Sequence, residues 1–418
     1  MNLLLKIMSC VLFDSPMPPL DKVNWKELFN EAKLQTVFLQ VYNQVMPYLP
    51  KAEASRWETA AMRVYAQNLE VAMEHGRLHE MLERHKIPYV TIKGISSAKY
   101  YSDPLDRVMG DVDFMVDPAQ IKETYQLVKG LGYVLHSEKE ADDLTREMEF
   151  HGQKGSHHVV WELHPEMTNL PGGVAGDAIR GYLADLIDTA QLYCIQDKQE
   201  IAPGKSMHSE KLIGECMIPD ELHHCLVLLV HTAGHLTREG VGVRHLCDWA
   251  AFIHQVSDEV FNERYAKMLR QCGLLRFAQL LTKVCEVYLG MPEKTWSGEA
   301  DPALLEDLIQ DIVDAGNFGF KDRSRYQQMK YINDQENNTV DQRGPIKQVF
   351  HTVNVKAQKR HPGLMKIPLT APIGWAAILI DYGVLVLRGQ RKRLNPISTV
   401  KEAGRRKKLY QQLEIYKV

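Results

Sequence analysis

The sequence lacks the patterns that mark several specialised classes of protein. Its seven cysteines are odd in number, widely spaced and without a CxxC pair, which argues against a disulfide framework or a zinc ribbon and favours a reducing cytoplasm. Neither sign of charge is in large excess, because 50 Lys and Arg residues nearly balance 53 Asp and Glu residues and leave a net charge of −3. A chain that is basic throughout and coats nucleic acid is therefore excluded. With 45% hydrophobic and 25% charged residues, the composition is that of a globular protein and excludes a disordered or collagen-like one.

Long apolar runs without interruption are missing as well. The N-terminal run MNLLLKIMSCVLFD is broken by Lys6 and has no small-residue cleavage site, so it predicts an ordinary first helix in preference to a signal peptide. Residues 367–387 are long enough for a membrane span, but they include Pro368, Gly374 and Asp381. A buried or surface-lying helix is the better interpretation, and no transmembrane span is expected.

Hydrophobic periodicity divides the chain into four regions. Apolar residues at helical spacing predict a helical scaffold over 1–85. Short β-rich runs alternate with helical ones over 86–205, which predicts a small α/β core. Helical spacing returns as a lobe over 206–300, and 301–418 is predicted to hold a polar loop and a basic helical region. The expected fold class is α+β, with a small mixed sheet flanked by N-terminal and C-terminal helical regions.

Two aspartates in the run GDVDFMV carry the first chemical signal. In a strand, Asp111 and Asp113 share one face, with Cα atoms about 6.5–7 Å apart. Val112 and Phe114 then point into the core. Adjacent carboxylates repel each other unless a cation lies between them, and oxygen ligands of this kind suit Mg²⁺. A solvated strand face is the alternative interpretation of this pair.

The run VVWELH supplies a third carboxylate. Its apolar residues alternate with polar ones, so Glu162 projects from the face opposite to Trp161. On a neighbouring strand it can join the two aspartates, and three carboxylates can hold two Mg²⁺ ions about 3.5–4 Å apart. The alternative is an ordinary surface acid on an edge strand.

The turn before the aspartates has features of a phosphate site. Gly94 permits close approach of a backbone, and backbone N–H groups at a helix start bind phosphate. Lys93 can add a charge, and Ser96 or Ser97 a hydroxyl. The alternative is a plain strand–helix turn with a capping serine.

These motifs together resemble the DNA polymerase β-type nucleotidyltransferase superfamily. More narrowly, the runs IKG, YYSDPLDRVMGDVDFMVDP, VVWELH, HTAGH and RHLCDWA resemble the bacterial family of uncharacterised nucleotidyltransferases. The resemblance implies a cytoplasmic, Mg²⁺-dependent enzyme that moves a nucleoside monophosphate from an NTP such as ATP to an acceptor. Protein, peptide, sugar, small molecule and RNA are all possible acceptors. A non-catalytic nucleotide- or partner-binding protein on the same fold is the alternative.

The resemblance also assigns roles to residues. Asp111 and Asp113 become metal ligands, and Glu162 becomes the third carboxylate, which orients or deprotonates the acceptor hydroxyl. Two Mg²⁺ ions are implied. The resemblance also makes Gly110, directly before the strand that carries Asp111 and Asp113, a nucleotide-binding residue. The superfamily usually has Gly or Ser after the first glycine of the turn. Here Ile95 follows Gly94, so Ser96 has to make the phosphate contact in place of that residue.

Two arginines are candidate phosphate ligands. Arg107 lies shortly before the metal strand, and a salt bridge to Asp103 or Asp106 is its alternative role. Arg244 lies within the resemblance and is placed near the triphosphate. The alternative role of Arg244 is an ion pair with Asp248, one turn further along the same helix.

His231 and His235 are spaced four residues apart on one helical face, which raises the possibility of a zinc-dependent hydrolase. However, HTAGH lacks the glutamate of the HExxH zinc motif, and no third candidate ligand lies at a spacing typical of a zinc site. A packed histidine pair or the wall of a substrate cleft are the other interpretations.

Charge is concentrated near the C-terminus. Residues 388–418 contain ten Lys or Arg and two acidic residues, a net charge of +8, which leaves −11 for the rest of the chain. Such a tail can contact a polyanion or a membrane surface. A solvated basic helix face is the alternative.

Overall fold

A computed structural model gives the architecture of most of the chain. The residues it describes are 2–136, 146–152, 159–168, 170–197, 211–334, 339–341, 343–366, 368–387 and 396–418. A mixed sheet lies between helical regions at both ends of the sequence. The α+β class predicted from the sequence is confirmed.

The N-terminal region is helical, as predicted. Its helices are α1 (Leu3–Phe13), α2 (Trp25–Leu34), α3 (Phe38–Val45) and α4 (Lys51–Arg84). Most of α1 is buried in the main core, and the Asn2 side chain caps its first turn by accepting from the Leu4 N–H. The long helix α4 then crosses from this core to the back of the sheet, where Val71 and Leu78 are fully buried.

The sheet positions the carboxylates. Its segment contains β1 (Tyr89–Thr91), α5 (Ile95–Ala98), β2 (Asp111–Val116), α6 (Ile121–Gly130), β3 (Tyr133–Leu135), β4 (Met148–Gly152) and β5 (Val160–Leu163). The strand order is β1-β2-β5-β4-β3. Strands β2 and β5 are parallel, and the other neighbouring pairs are antiparallel.

One face of this sheet is apolar and packs against α4. Val112, Phe114 and Trp161 are fully buried there, and the Trp161 Nε1–H donates to Glu74 of α4 over 3.1 Å. Because side chains alternate along a strand, the residues between them project from the opposite face. The packing on α4 therefore fixes which face of the sheet is polar.

A hairpin that the sequence did not reveal lies beside the sheet. After α7 (Gly173–Tyr182), strands β6 (Gln191–Asp197) and β7 (Lys211–Ile218) pair antiparallel. This hairpin spans the predicted boundary at 205/206. It packs on α4 where Gly76 meets Gly214, and a Cβ on Gly76 would lie 3.0 Å from the Gly214 Cα. The close approach of the two backbones requires glycine.

A helical lobe follows β7. It comprises α8 (Glu221–Leu236), α9 (Val243–His254), α10 (Asp258–Val260), α11 (Ala266–Gln271) and α12 (Leu275–Leu289). Asp220 caps α8 by accepting from the His223 N–H. Twelve residues of α8 and ten of α9 are buried, so these two helices form the centre of the lobe.

The C-terminal region is more helical than the sequence suggested. Its elements are α13 (Pro302–Ala315), α14 (Arg325–Gln328), β8 (Asn333–Asp334), β9 (Thr339–Val340), α15 (Pro345–Arg360), α16 (Pro362–Met365), α17 (Ala371–Leu387) and α18 (Pro396–Gln412). Helix α15 begins at Pro345 directly after Gly344, because proline is well suited to the first turn of a helix. Within the described ranges, every helix is too short or too polar for a membrane span.

Much of the basic tail is part of the fold. Leu409, Tyr410 and Leu413 of the last helical segment are buried in the main core. The Tyr410 hydroxyl donates to Asp311 of α13 over 2.7 Å, and the buried Arg406 guanidinium donates to Gln328 over 3.0 Å. The structure describes 396–418 of this tail, and the part of the prediction on 388–395 lies outside the described residues.

Candidate active site

The three carboxylates that the sequence singles out lie on one face of the sheet. The parallel register of β2 and β5 pairs Asp113 directly with Glu162. Asp111 precedes Asp113 by two residues in β2 and shares its face. Asp113 is 3% exposed, and the Glu162 side chain is 20% exposed. The structure therefore brings all three side chains together at the centre of the sheet.

Two basic side chains contact these carboxylates. The Lys93 ammonium donates to Asp113 Oδ1 over 2.7 Å, and His164 Nε2 donates to the same oxygen over 2.8 Å. His164 Nε2 also lies 3.6 Å from Glu162 Oε2, and the imidazole is fully buried. Burial alone would lower the pKa of His164, but its hydrogen bonds to Asp113 and Glu162 raise that pKa above its ordinary value.

The two aspartates differ in their electrostatic surroundings. Burial would raise the pKa of Asp113, but Lys93 and His164 outweigh it and hold that pKa well below its ordinary value. Burial, followed by the charges of Asp113 and Glu162, raises the pKa of Asp111 to about 7. The positive charge of Lys93 therefore balances only part of the negative charge of the three carboxyl groups, and the cluster favours a further cation.

The donor atoms of this cluster fit a divalent metal ion. Asp113, Glu162 and His164 each offer one ligand atom, and these atoms lie within 4.8 Å of one another. The Lys93 ammonium shows that the cluster accommodates a cation at Asp113. Carboxylate oxygens are the ligands that Mg²⁺ prefers, and the His164 nitrogen would extend the choice to Mn²⁺ or Zn²⁺.

The turn after β1 faces the same centre. Gly94 has φ +57°, a conformation that favours glycine, and a Cβ there would be 3.8 Å from the Asp111 carbonyl oxygen. The Ser96 hydroxyl donates to the Thr91 carbonyl oxygen over 2.6 Å and is buried, so it holds the turn. Ser97 lines the adjacent cleft. Gly110, directly before β2, is exposed.

A narrow cleft lies between the turn and the helical lobe. Its walls include Lys93, Gly94 and Ser97 on one side and His231, Arg244 and His245 on the other. Because Lys93 also contacts Asp113, the cleft begins beside the carboxylates. A ligand that reaches the carboxylates through this cleft meets positive charge on both walls.

Arg107 is tied to the lobe by a buried ion pair. Its Nε donates to Asp248 Oδ1 over 2.9 Å, and its Nη2 donates to Oδ2 over 2.7 Å. The Tyr101 hydroxyl donates to Asp248 Oδ1 over 2.8 Å. Arg107 therefore pairs across 141 residues of sequence instead of with Asp103 or Asp106, and its guanidinium positions the segment before β2.

Arg244 is left available to a ligand. Asp248, which the sequence offered as its helical partner, is occupied by Arg107 and Tyr101. One guanidinium nitrogen of Arg244 donates to the Val108 carbonyl over 3.2 Å. Burial, and then the charge of Arg107, lower the pKa of Arg244 to about 10, so it remains a cation at neutral pH.

The histidines of α8 pack with other rings. The His231 and His235 centroids lie 4.4 Å apart at 72°, and His245 and Phe318 complete the cluster. Burial, then His235 and Lys93, hold the pKa of His231 well below its ordinary value. Among the described residues, neither His231 nor His235 belongs to a set of three side chains able to share a metal ion. The arrangement fits a packed histidine pair, of which His231 lines the cleft.

Two features of this site were missed by sequence reasoning. His164 received no role, although alternation in VVWELH places it on the face of Glu162, and the His164 N–H extends the pairing with β2 by donating to the Phe114 carbonyl. His245 also received none. It is 2% exposed and lines the cleft with both ring nitrogens lacking a hydrogen-bond partner, and no sequence pattern marks it.

Comparisons with known proteins agree with the resemblance noted in the sequence. A family model described as uncharacterised nucleotidyltransferase matches residues 21–290. That range contains the sheet, the cleft and helices α8 and α9. Searches of curated proteins and of solved structures gave no significant match.

Proposed function

The chain belongs to the uncharacterised nucleotidyltransferase family, and we propose that it moves a nucleoside monophosphate from an NTP to an acceptor in a Mg²⁺-dependent reaction. The main support for this proposal is the parallel pairing of β2 with β5. It places Asp113 beside Glu162, and Asp111 lies on the same face of the sheet. A carboxylate cluster beside a cationic cleft provides the positioning and charge stabilisation on which phosphoryl-group transfer depends.

The metal would be held by Asp111, Asp113 and Glu162, and we propose two Mg²⁺ ions. The oxygen-rich donor set and the cation already accepted by Asp113 support this assignment. Bound there, Mg²⁺ would neutralise charge on the triphosphate and activate the acceptor hydroxyl. His164 and Lys93 would orient Asp113 through their hydrogen bonds to it.

In the proposed reaction the acceptor oxygen attacks the α-phosphorus of the NTP. A bond forms between these two atoms, the bond from the α-phosphorus to the bridging oxygen breaks, and pyrophosphate leaves. Glu162 is the proposed acceptor of the hydroxyl proton, because it lies beside Asp113 at the edge of the cluster and its side chain is partly exposed.

The nucleotide phosphates are proposed to lie in the cleft. Lys93, Gly94, Ser97 and Arg244 line it, and the exposed Gly110 lies directly before β2. Ser96 and Arg107 belong to the same proposed group, but their polar atoms are used within the fold. We therefore give Ser96 and Arg107 the role of positioning the turn and the segment before β2.

The acceptor is proposed to be a protein, peptide, sugar, small molecule or RNA. Three exposed cations of α18, Lys401, Arg405 and Lys408, are available to a polyanionic acceptor or a membrane surface. We propose a cytoplasmic location, which the seven free cysteines support, and a bacterial source, which the resemblance supports.

The experiment that tests this function uses the purified full chain. It is incubated with Mg²⁺, cell lysate and each of the four NTPs labelled at the α-phosphate. We expect transfer of label from at least one NTP together with pyrophosphate release. Mg²⁺-dependent nucleotide binding without transfer would support the non-catalytic alternative, and absence of both would contradict the proposal.

Glu162→Gln is expected to lower the rate of the chemical step by about 10²–10⁴-fold, since it removes the proposed proton acceptor while keeping side-chain volume. NTP affinity should change little. Single-turnover kinetics at saturating NTP measure the rate, and equilibrium titration measures the affinity.

The matched control for Glu162→Gln is Glu166→Gln. Glu166 lies four residues further along the chain and is exposed, so its change should leave the rate unaltered. Equal losses of rate and NTP affinity in Glu162→Gln would make Glu162 chiefly a ligand of the nucleotide-bound metal. An unchanged rate would rule out both roles.

Arg244→Ala is expected to weaken NTP binding by about 10- to 100-fold, because a hydrogen bond to a charged group contributes about 1.5–3 kcal/mol. Titration of wild type and variant with a non-hydrolysable NTP analogue measures this. Arg264→Ala, an exposed arginine of the same lobe, serves as the control. A loss of thermal stability with unchanged affinity would mean that Arg244 acts only through its contacts with Val108 and Phe318.

A further inference from the structure

A second group of metal-ligating side chains lies at the other end of the sheet. Val134 of β3 pairs with His151 of β4, and the His136 N–H continues the ladder by donating to the Glu149 carbonyl over 2.8 Å. His136 is therefore opposite Glu149. Because His151 is two residues beyond Glu149 in β4, all three side chains project from one face.

The three side chains are close enough to share one ion. Their ligand atoms all lie within 4.8 Å of one another. His151 Nε2 is 2.7 Å from Glu149 Oε1, and the centroids of the His136 and His151 rings are 5.0 Å apart. The side chains of Glu149 and His151 are 39% and 38% exposed, so an ion from solution can reach them.

This group shares its face with the carboxylates described above. Glu149 pairs with Glu162 of β5, and Glu162 pairs with Asp113 of β2. Neighbouring strands lie about 4.7–4.9 Å apart, so Glu149 is one strand away from the proposed active site. His136 is one strand further, directly after β3, the last strand of the sheet.

We propose that His136, Glu149 and His151 form a binding site for a transition-metal ion of the Zn²⁺ class. Two imidazoles and one carboxylate are ligands of Zn²⁺, Co²⁺ and Ni²⁺, whereas Mg²⁺ and Ca²⁺ prefer all-oxygen sites. Water completes the coordination. The bound ion joins the residue directly after β3, the last strand, to β4 through side chains, in addition to the backbone ladder. This site does not depend on nucleotidyl transfer.

The experiment is a Zn²⁺ titration of the full chain after chelator treatment. Millimolar Mg²⁺ is present throughout, so that the oxygen-rich carboxylate cluster is occupied by its preferred ion. Binding is measured by competition with a chromophoric chelator. Replacement of Zn²⁺ by Co²⁺ gives a visible absorption spectrum that reports nitrogen and oxygen coordination.

His136→Ala and His151→Ala are each expected to weaken Zn²⁺ binding by at least about 100-fold, since even residues that only support metal ligands change affinity by about 10–100-fold. His85→Ala, an exposed histidine at the end of α4, is the control and should bind as wild type does. Thermal melting of the metal-free variants checks that they are folded.

Three results would overturn the proposal. The first is wild-type Zn²⁺ affinity in both His136→Ala and His151→Ala. The second is a Zn²⁺ site lost in His164→Ala but kept in these two variants, which would place the ion in the carboxylate cluster. The third is a wild-type protein that binds no Zn²⁺.

Discussion

Asp113→Asn is expected to abolish nucleotidyl transfer and also to lower the stability of the metal-free protein. Asp113 accepts hydrogen bonds from Lys93 and from the fully buried His164. Removal of its charge leaves the Lys93 ammonium without its anionic partner inside the fold and weakens the hydrogen bond from His164. Breaking a buried ion pair in this way costs about 3–5 kcal/mol, and the loss of a ligand should reduce transfer below detection.

Asp111→Asn should separate these two effects. Burial and the charges of Asp113 and Glu162 raise the pKa of Asp111 to about 7. A raised carboxyl pKa means that the folded protein disfavours the ionised form. The amide removes this repulsion, so the melting temperature of the metal-free protein should stay the same or rise while transfer is lost.

Urea denaturation of the metal-free variants measures the stability difference, and label transfer from an NTP measures activity. Asp117→Asn, one residue beyond the end of β2, is a control for a change of charge near the strand. Wild-type transfer by Asp111→Asn or Asp113→Asn would exclude the metal assignment. Equal stabilities of the two variants would show that Lys93 and His164 do not depend on Asp113.

The local parts of this site could be predicted from the sequence. Alternation along GDVDFMV and VVWELH fixes which side chains share a face, and the apolar alternates Val112, Phe114 and Trp161 are buried as expected. The same alternation contains His164, but a single histidine at a strand end has no pattern that distinguishes a buried partner of a carboxylate from a solvated residue. Its role follows only from the contact with Asp113.

The parts that depend on distant segments could not be predicted. Arg107 and Asp248 are 141 residues apart, and the nearer Asp103 and Asp106 were the only partners that sequence spacing offered. Phe318 reaches the histidines of α8 from a segment beyond α13. The hairpin β6–β7 was missed because it packs against the helix α4, which is distant in sequence. Gly76 of α4 lies over 100 residues before Gly214 of β7. Tertiary packing, not local propensity, decides these features.

Asp248→Ala is expected to lower the free energy of unfolding by about 3–5 kcal/mol. The change leaves the Arg107 guanidinium, whose side chain is 7% exposed, without its carboxylate. The Tyr101 hydroxyl loses its acceptor as well. Because this pair joins the segment before β2 to α9, the variant should also shift Arg244 relative to the carboxylates and weaken NTP binding.

Chemical denaturation of wild type and Asp248→Ala measures the stability change. The control is Asp307→Ala, a change at an exposed aspartate of α13.

The double variant Arg107→Met with Asp248→Leu replaces the whole ion pair by apolar groups. It should recover much of the stability, because no buried charge is left unpaired. With the single variants Arg107→Met and Asp248→Leu, this double variant completes a double-mutant cycle that gives the coupling energy between the two residues. If Asp248→Ala is as stable as wild type, the ion pair does not hold the lobe to the sheet. If the double variant regains stability but not NTP affinity, the pair is needed to position Arg244 in the cleft.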